Sequence, residues 1–243
     1  MSETFVVRSY WGDRKEEAES CADRVSRCLL GLACCDESFG RWFLKGRTQK
    51  EAVKNPISTD APFLIDLLQR GRNRREIDQT IIDTLGFMLG FWNGAGGDHA
   101  SSILFTCGAH TGNRHLLNSC LLNLPHEGKA LERLLNVNVL KAVLDVVVTS
   151  WEPDWASVIP RSQTQPANFD ARVPFVGWLT YLSHRRGRIP ELPSHFESNI
   201  IPSHGTVILL TKEEFAVDTS LHIERARQLT RLLERAGLLV AMQ

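Results

Sequence analysis

Leu85-Gly86-Phe87-Met88-Leu89-Gly90-Phe91-Trp92-Asn93 is followed by Gly94-Ala95-Gly96-Gly97-Asp98 and then by a second β-type run from Ile103 to Ala109. Two such runs around a flexible glycine-rich connection read as a hairpin. A third β-type run, Leu116 to Leu124, comes next, so the three predict an antiparallel meander.

On the N-terminal side, Thr4 to Tyr10 alternates with β-formers and predicts a strand. Asp13-Arg14-Lys15-Glu16 reads as a capping box, Asp13 at N-cap and Glu16 at N3. The helix expected after it carries Ala18, Cys21, Ala22, Val25, Cys28, Leu29 and Leu32 at intervals of three and four, one apolar stripe. Burying such a stripe contributes roughly 1.5–3 kcal/mol of transfer free energy per large side chain, before chain entropy. Thr48-Gln49-Lys50-Glu51 is a second box, for a short helix ending before Pro56, and Pro62 opens another through about Leu68. Arg70 to Arg75 is a basic turn.

On the C-terminal side, Leu131 to Val148 predicts a second long helix, with Pro153 just beyond it. Trp155 to Ile159, Phe175 to Leu182 and Val207 to Thr211 predict strands, while Pro160 to Pro174 and His184 to Gly205 predict long loops. Asp218 or Thr219 caps a final helix whose expected inner face is Leu221, Ala226, Leu229, Leu232 and Leu233, with Gly237 as its C′ residue. Strands and helices are segregated without strict βαβ alternation. The expected fold class is α+β, an antiparallel-rich sheet with long helices packed on it. No repeat or break in composition divides the chain, so residues 1–243 are read as a single domain.

Lys plus Arg number 28 and Asp plus Glu 28, a neutral balance that argues against a dedicated nucleic-acid binder. No apolar run approaches the ~18–20 residues of a membrane span, and Met1 to Tyr10 lacks the pattern of a signal peptide. The expectation is a soluble cytoplasmic protein whose six cysteines are reduced thiols.

Chemistry-bearing patterns fall short of catalytic spacing. Cys107, His110 and His115 do not converge as three or four zinc ligands should. Cys34-Cys35 lacks the two-residue spacer of a redox pair, and its place at a helix C-terminus disfavours a thiolate. Pro153-Asp154 matches half of a restriction-type nuclease site, but no acidic-x-Lys triplet follows it. Nucleophile elbows and phosphate loops are absent. The arginines at 70, 72, 74 and 75 read as a solvated turn. Six tryptophans, Trp11, Trp42, Trp92, Trp151, Trp155 and Trp178, sit mostly at element ends, where core anchoring is the default. Trp92 and Trp178, each in an apolar β-segment next to glycine, are expected to be buried. Catalytic residues, metal and cofactor are therefore not expected.

The order of the tryptophan motifs is distinctive. Tyr10-Trp11-Gly12 with Arg14 comes first, then Arg41-Trp42 with Lys45-Gly46-Arg47, then Leu85-Gly86-Phe87 leading to Phe91-Trp92-Asn93-Gly94. Asn118-Ser119-Cys120 ending in Leu124-Pro125 follows, then Trp151-Glu152-Pro153-Asp154-Trp155-Ala156, Val176-Gly177-Trp178-Leu179-Thr180-Tyr181-Leu182, and finally Gly205-Thr206 with Glu214-Phe215. This series resembles the immunity protein 52 family of bacterial polymorphic toxin systems, from about Phe5 to Leu239. The resemblance implies a cytoplasmic antidote encoded beside its toxin. It implies as partner a nuclease toxin with a restriction-endonuclease-like domain, often delivered by type VI secretion, and it supplies no catalytic residues to carry over. The alternatives are a small metal-dependent hydrolase or nuclease, and a secretion adaptor or chaperone. A nuclease surface attracts phosphates and carries Lys and Arg, so an antidote covering it should group carboxylates in loops. The candidates are Asp98 in the glycine-rich hairpin, Glu152 and Asp154 between the tryptophans, and Asp170 in the long polar loop, with Trp155 as a possible aromatic anchor.

Overall fold

β1 (Phe5–Trp11) is the strand on which the sheet is assembled in the computed structural model, which describes residues 3–46, 48–164 and 169–242. Arg47, and residues 165–168 of the expected loop, lie outside the described residues. Along one side β1 pairs with β4 (Asn118–Asn123), and along the other with β5 (Trp155–Pro160). The full order is β2-β3-β4-β1-β5-β6-β8-β7, with every neighbouring pair antiparallel. Here β2 is Phe87–Trp92, β3 Ser102–Cys107, β6 Leu179–Ser183, β7 Glu197–Ile201 and β8 Gly205–Leu209. The expected meander is β2-β3-β4, and the α+β class holds.

Strand alternation sends Phe5, Val7, Ser9 and Trp11 to one face and Val6, Arg8 and Tyr10 to the other. The first face is covered by α1 (Ala18–Cys35) and α5 (Val137–Trp151), with α3 (Ala61–Arg70) packed on α1. Trp151 at the end of α5 stacks on Trp11 with ring centroids 5.3 Å apart and lies 5.2 Å from the Phe105 ring. The predicted stripe of α1 is the buried one. Its cysteines meet partners on the sheet, Cys21 against Cys107 and Cys28 against Cys120. Contact with Cys21 and then burial push the Cys107 thiol well above its ordinary value, and burial followed by Cys28 does the same for Cys120. A Cβ on Gly31 would lie 2.7 Å from Val146 Cγ1, so the crossing of α1 and α5 needs a glycine there. On the other face, Phe169 covers Tyr10 and lies under Arg8, and α6 (Ser220–Arg235) borders a groove with residues 173–176.

Several boundaries differ from the sequence reading. α1 begins at Ala18 after Glu17, not after Asp13. Asp13 instead accepts the Gly112 N–H at 2.6 Å, and Glu16 is drawn into ion pairs with Arg14 and Arg24, so the capping box never closes. The N-cap expected at Thr48 does form, its hydroxyl accepting from the Glu51 N–H ahead of α2 (Gln49–Ala52). The expected long helix is two, α4 (Lys129–Leu134) and α5, because the Asn136 side chain accepts from Asn138 N–H and starts a new helix. The expected loop from His184 to Gly205 contains β7, a sheet edge with Ser198, Asn199 and Ile200 exposed. In α6, Leu221 faces outward and His222 is buried in its stead, its ring stacked on Phe215 and its Nδ1 accepting from Ala216 N–H at 3.1 Å. Gly237 (φ 70°) does follow α6 as C′, with Leu238 N–H on Leu233 O and Gly237 N–H on Glu234 O, a Schellman pair.

Trp178 is fully buried and its indole donates to Thr211 O at 2.9 Å, as expected for a core anchor. Trp92 is only half-buried on the outer face, its indole donating to Leu44 O. Trp178→Ala should therefore cost about 3–5 kcal/mol in chemical denaturation, and Trp92→Ala clearly less. Equal losses would contradict this placement. The thiols give a second measurement. Cys34 is exposed and Cys35 half-buried, whereas the other four are buried. Burial, followed by Cys34 and Cys28, pushes the Cys35 thiol up to about 11. A thiol reagent at neutral pH should modify Cys34 quickly and Cys35 slowly, the rest only on unfolding; rapid reaction of more than two would overturn this assignment.

Candidate functional site

The last turn of a helix leaves carbonyl groups without intrahelical donors and carries the negative end of the helix dipole. At the end of α5 these carbonyls are taken by arginines from three other segments. Arg24 of α1 donates to Ser150 O at 2.8 Å, Arg14 to Trp151 O at 2.8 Å, and Arg185 to Glu152 O at 2.7 Å. Glu16 bridges the first two, at 3.0 Å from Arg14 and 2.7 Å from Arg24. Arg14 also lies over the Trp11 ring, 5.0 Å from its centroid. Glu152 ends α5 in the left-handed region (φ 50°), a conformation uncommon outside glycine.

This knot stands at the rim of the sheet where β1 ends and β5 begins. Glu152 Oε1 meets Arg24 at 3.0 Å, while its side chain stays 46% exposed. Burial pushes its carboxyl up, but the Arg24 hydrogen bond and the charges of Arg24 and Arg14 hold it below the usual value, so it is ionised at neutral pH. Asp154 accepts the Gly12 N–H at 3.1 Å and lies 3.5 Å from Arg185. Its backbone continues the ladders, N–H to Tyr10 O and carbonyl to Ser183 N–H. Beside Glu152, a cleft of about 290 Å³ is bordered by Glu152, Tyr181, Ser183, His184, Arg185, Ser203 and His204. Ser203 (φ 65°) is a second left-handed residue at this cleft. Burial pushes the Tyr181 hydroxyl up to about 12, so it remains protonated.

Asp170 belongs to the same rim on the outer face. The neighbouring Ala171 carbonyl accepts from Trp155 Nε1 at 3.0 Å, and His115 of the β3–β4 connection acts on the Asp170 charge. Trp155 itself is fully enclosed and lies against Tyr10, 5.1 Å between rings, so its side chain supports the rim from within and presents no surface to a partner. Asp98 lies at the opposite end of the sheet. Its carbonyl accepts from His126 and Glu127 N–H, and its carboxylate lies 3.3 Å from His126. With strands of six or seven residues, that is roughly 20 Å from the others. The fold thus gathers Glu152, Asp154 and Asp170 and leaves Asp98 apart. Sequence reasoning missed the arginines and His204, because their partners are remote in the chain; paired opposite charges around a helix stop are the only local trace. Among the described residues, no three His, Cys, Asp or Glu side chains are placed to hold a metal ion.

A family model described as Immunity protein 52 matches residues 3–242. None of the curated proteins compared matches the chain. A solved structure, Pseudomonas aeruginosa T6SS protein PA0821, shares the fold with a TM-score of 0.55 at 12% identity, over 93% of this chain and 76% of that one.

Asp170 offers a test by pH. The Arg172 side chain, with bonds of 2.6–3.0 Å, and then the Arg172 N–H hold its carboxyl at about 2. An unfolded aspartate titrates near about 3.9, so the folded value is depressed. The contribution is complete above that pH and is lost as pH falls toward 2. The side chain is more than a third exposed, which keeps the effect small. Asp170→Asn should lower the urea midpoint slightly at pH 7, with the gap closing below about pH 4. A gap as large at pH 2.5 as at pH 7 would rule out the carboxylate as its cause.

Proposed function

The chain belongs to the immunity protein 52 family, and from that premise we propose that it neutralises a cognate toxin by one-to-one binding. The toxin inferred is a restriction-endonuclease-like nuclease encoded by an adjacent gene and delivered by type VI secretion. The observation that carries this reading is the family match along nearly the whole chain. The fold shared with a protein named for type VI secretion agrees with the delivery route.

The contact face we assign is the rim bearing Glu152, Asp154 and Asp170. A nuclease works on phosphates and so carries cations on its working surface. Carboxylates fixed at the rim of an antidote would steer the encounter and hold register. Glu152 is the most exposed acid of the Arg24 knot, and its arginine fixes its position. Asp154 is held more tightly, by Gly12 N–H and Arg185, and serves to shape the rim. The same residue is the one through which the hydrolase or nuclease alternative is tested. Trp155 lies beneath this face and Asp98 outside it.

The first measurement is co-purification with the adjacent gene product and inhibition of its cleavage of DNA by the purified chain. The second uses Glu152→Gln, which keeps shape and removes charge. Association with the toxin should slow by about threefold to tenfold at low salt, and the difference should vanish near 0.5 M salt, where screening acts within about 5 Å. An unchanged association rate at every salt concentration would remove Glu152 from the contact. Cleavage of nucleic acid by the chain itself, lost in Asp154→Asn, would favour the hydrolase reading.

A further inference from the structure

Between α3 and β2 the chain leaves the sheet as a small hairpin. Arg74 and Ile81 form an antiparallel bridge, Arg75 N–H donates to Thr80 O at 2.9 Å, and Ile82 N–H donates to Asn73 O at 2.9 Å. Residues 74–81 are all exposed, and Ile77 at the tip is 100% exposed. An isoleucine wholly in water is ordinary on a mobile tail, but this tip is tied by its own bonds. Gln79 Nε2 donates to Arg75 O at 3.3 Å and Glu76 O at 3.2 Å, Arg74 donates to Gln79 O at 3.1 Å, and Asp78 accepts from both Thr80 N–H and its hydroxyl. Gln79 takes the left-handed region (φ 58°) to close the turn. The base is fixed as well: Arg72 pairs with Asp83, lies over the Phe87 ring and bridges to that strand.

We propose that this hairpin is a preformed knob whose Ile77 enters an apolar slot on the toxin, with Glu76 and Asp78 meeting cations at the lip of that slot. The assignment rests on the immunity reading above. Three observations carry it. The apolar tip has no cover from its own chain, the turn is ordered before any partner arrives, and a carboxylate stands on either side of the isoleucine. Order in advance reduces the entropy lost on binding. Apolar residues that fill a partner's pocket concentrate binding energy. The hairpin also carries Arg74 and Arg75, but Arg74 is engaged with Gln79 O and the two carboxylates are the residues that adjoin Ile77 directly, so it is the immediate flanks of the tip that suit a slot in a phosphate-handling surface. The position suits the same encounter. Phe87, the start of β2, lies at the rim that carries Glu152, and β2 and β5 stand four strand spacings apart, about 19 Å. A standard interface of about 800 Å² per partner spans both.

The test is binding of the purified adjacent-gene toxin to the full chain, to Ile77→Asp and to Ile77→Leu, with melting temperature and sedimentation equilibrium measured on each. Ile77 touches nothing in its own chain that a substitution could unfold. The expected result is a Kd about 30-fold weaker for Ile77→Asp, near wild-type affinity for Ile77→Leu, and unchanged melting. Wild-type and Ile77→Asp affinities within twofold would overturn the knob while leaving the immunity reading intact. A wild-type chain that fails to bind the toxin would sink that reading and this one with it. A wild-type dimer that Ile77→Asp dissolves would assign the knob to a second copy of the chain and overturn the toxin as its occupant.

Discussion

The end of α5 is where this molecule is tied together. Its terminal carbonyls point out of the helix with nothing ahead to satisfy them, and burial there would be costly without donors. Arginines from the β1–α1 connection, from α1 and from the segment after β6 converge on three successive carbonyls. Their charges also oppose the negative helix terminus. Because Trp151 of the same turn stacks on Trp11, the electrostatic knot and the aromatic core locate each other. The helix layer, the central strand and the rim are thereby set in one frame, and Glu152 can be held in its left-handed turn at the surface.

Much of the fold was legible because burial leaves periodic traces. The intervals of α1 from Ala18 to Leu32 match its buried face residue for residue. The glycine-rich connection after Trp92 marked a hairpin, and Gly237 marked a helix stop. Legibility failed where the cause was not periodic. Glu197 to Ile201 carries no alternation, since an edge strand exposes most of itself, and so its pattern is that of a loop. The apolar stripe from Leu131 to Val148 continues through a break that one asparagine side chain makes at position 136. Asp13-Arg14-Lys15-Glu16 has the letters of a capping box, but Glu16 serves two arginines better than it would serve a backbone N–H.

The proposed contact face was legible only in part. Choosing carboxylates in loops found Glu152, Asp154 and Asp170 on one rim, yet the same rule selected Asp98 at the far end of the sheet. Proximity across strands is set by register, which sequence spacing does not report. Trp155 illustrates a different ambiguity: tryptophan belongs both to cores and to interfaces, and here the neighbouring Tyr10 and Ala171 enclose it. The hairpin at Ile77 did leave a trace, an isolated isoleucine among charged residues, but the arginines around it drew the reading toward a solvated basic turn.

The position of β1 also governs when the chain can become useful. Of the strands among the described residues, β1 is made before the others yet stands in the middle of the sheet, and it must wait for both neighbours. Ser9, for instance, is bonded to Cys120, 111 positions away, and β5 comes later still. Such non-local pairing slows folding, because long loops must close before contacts reward them. Synthesis runs at about 5–20 residues per second, so several seconds pass before β1 has its second flank. The sheet therefore closes late in synthesis, since one flank of its middle strand stays unpaired until Trp155–Pro160 has been made.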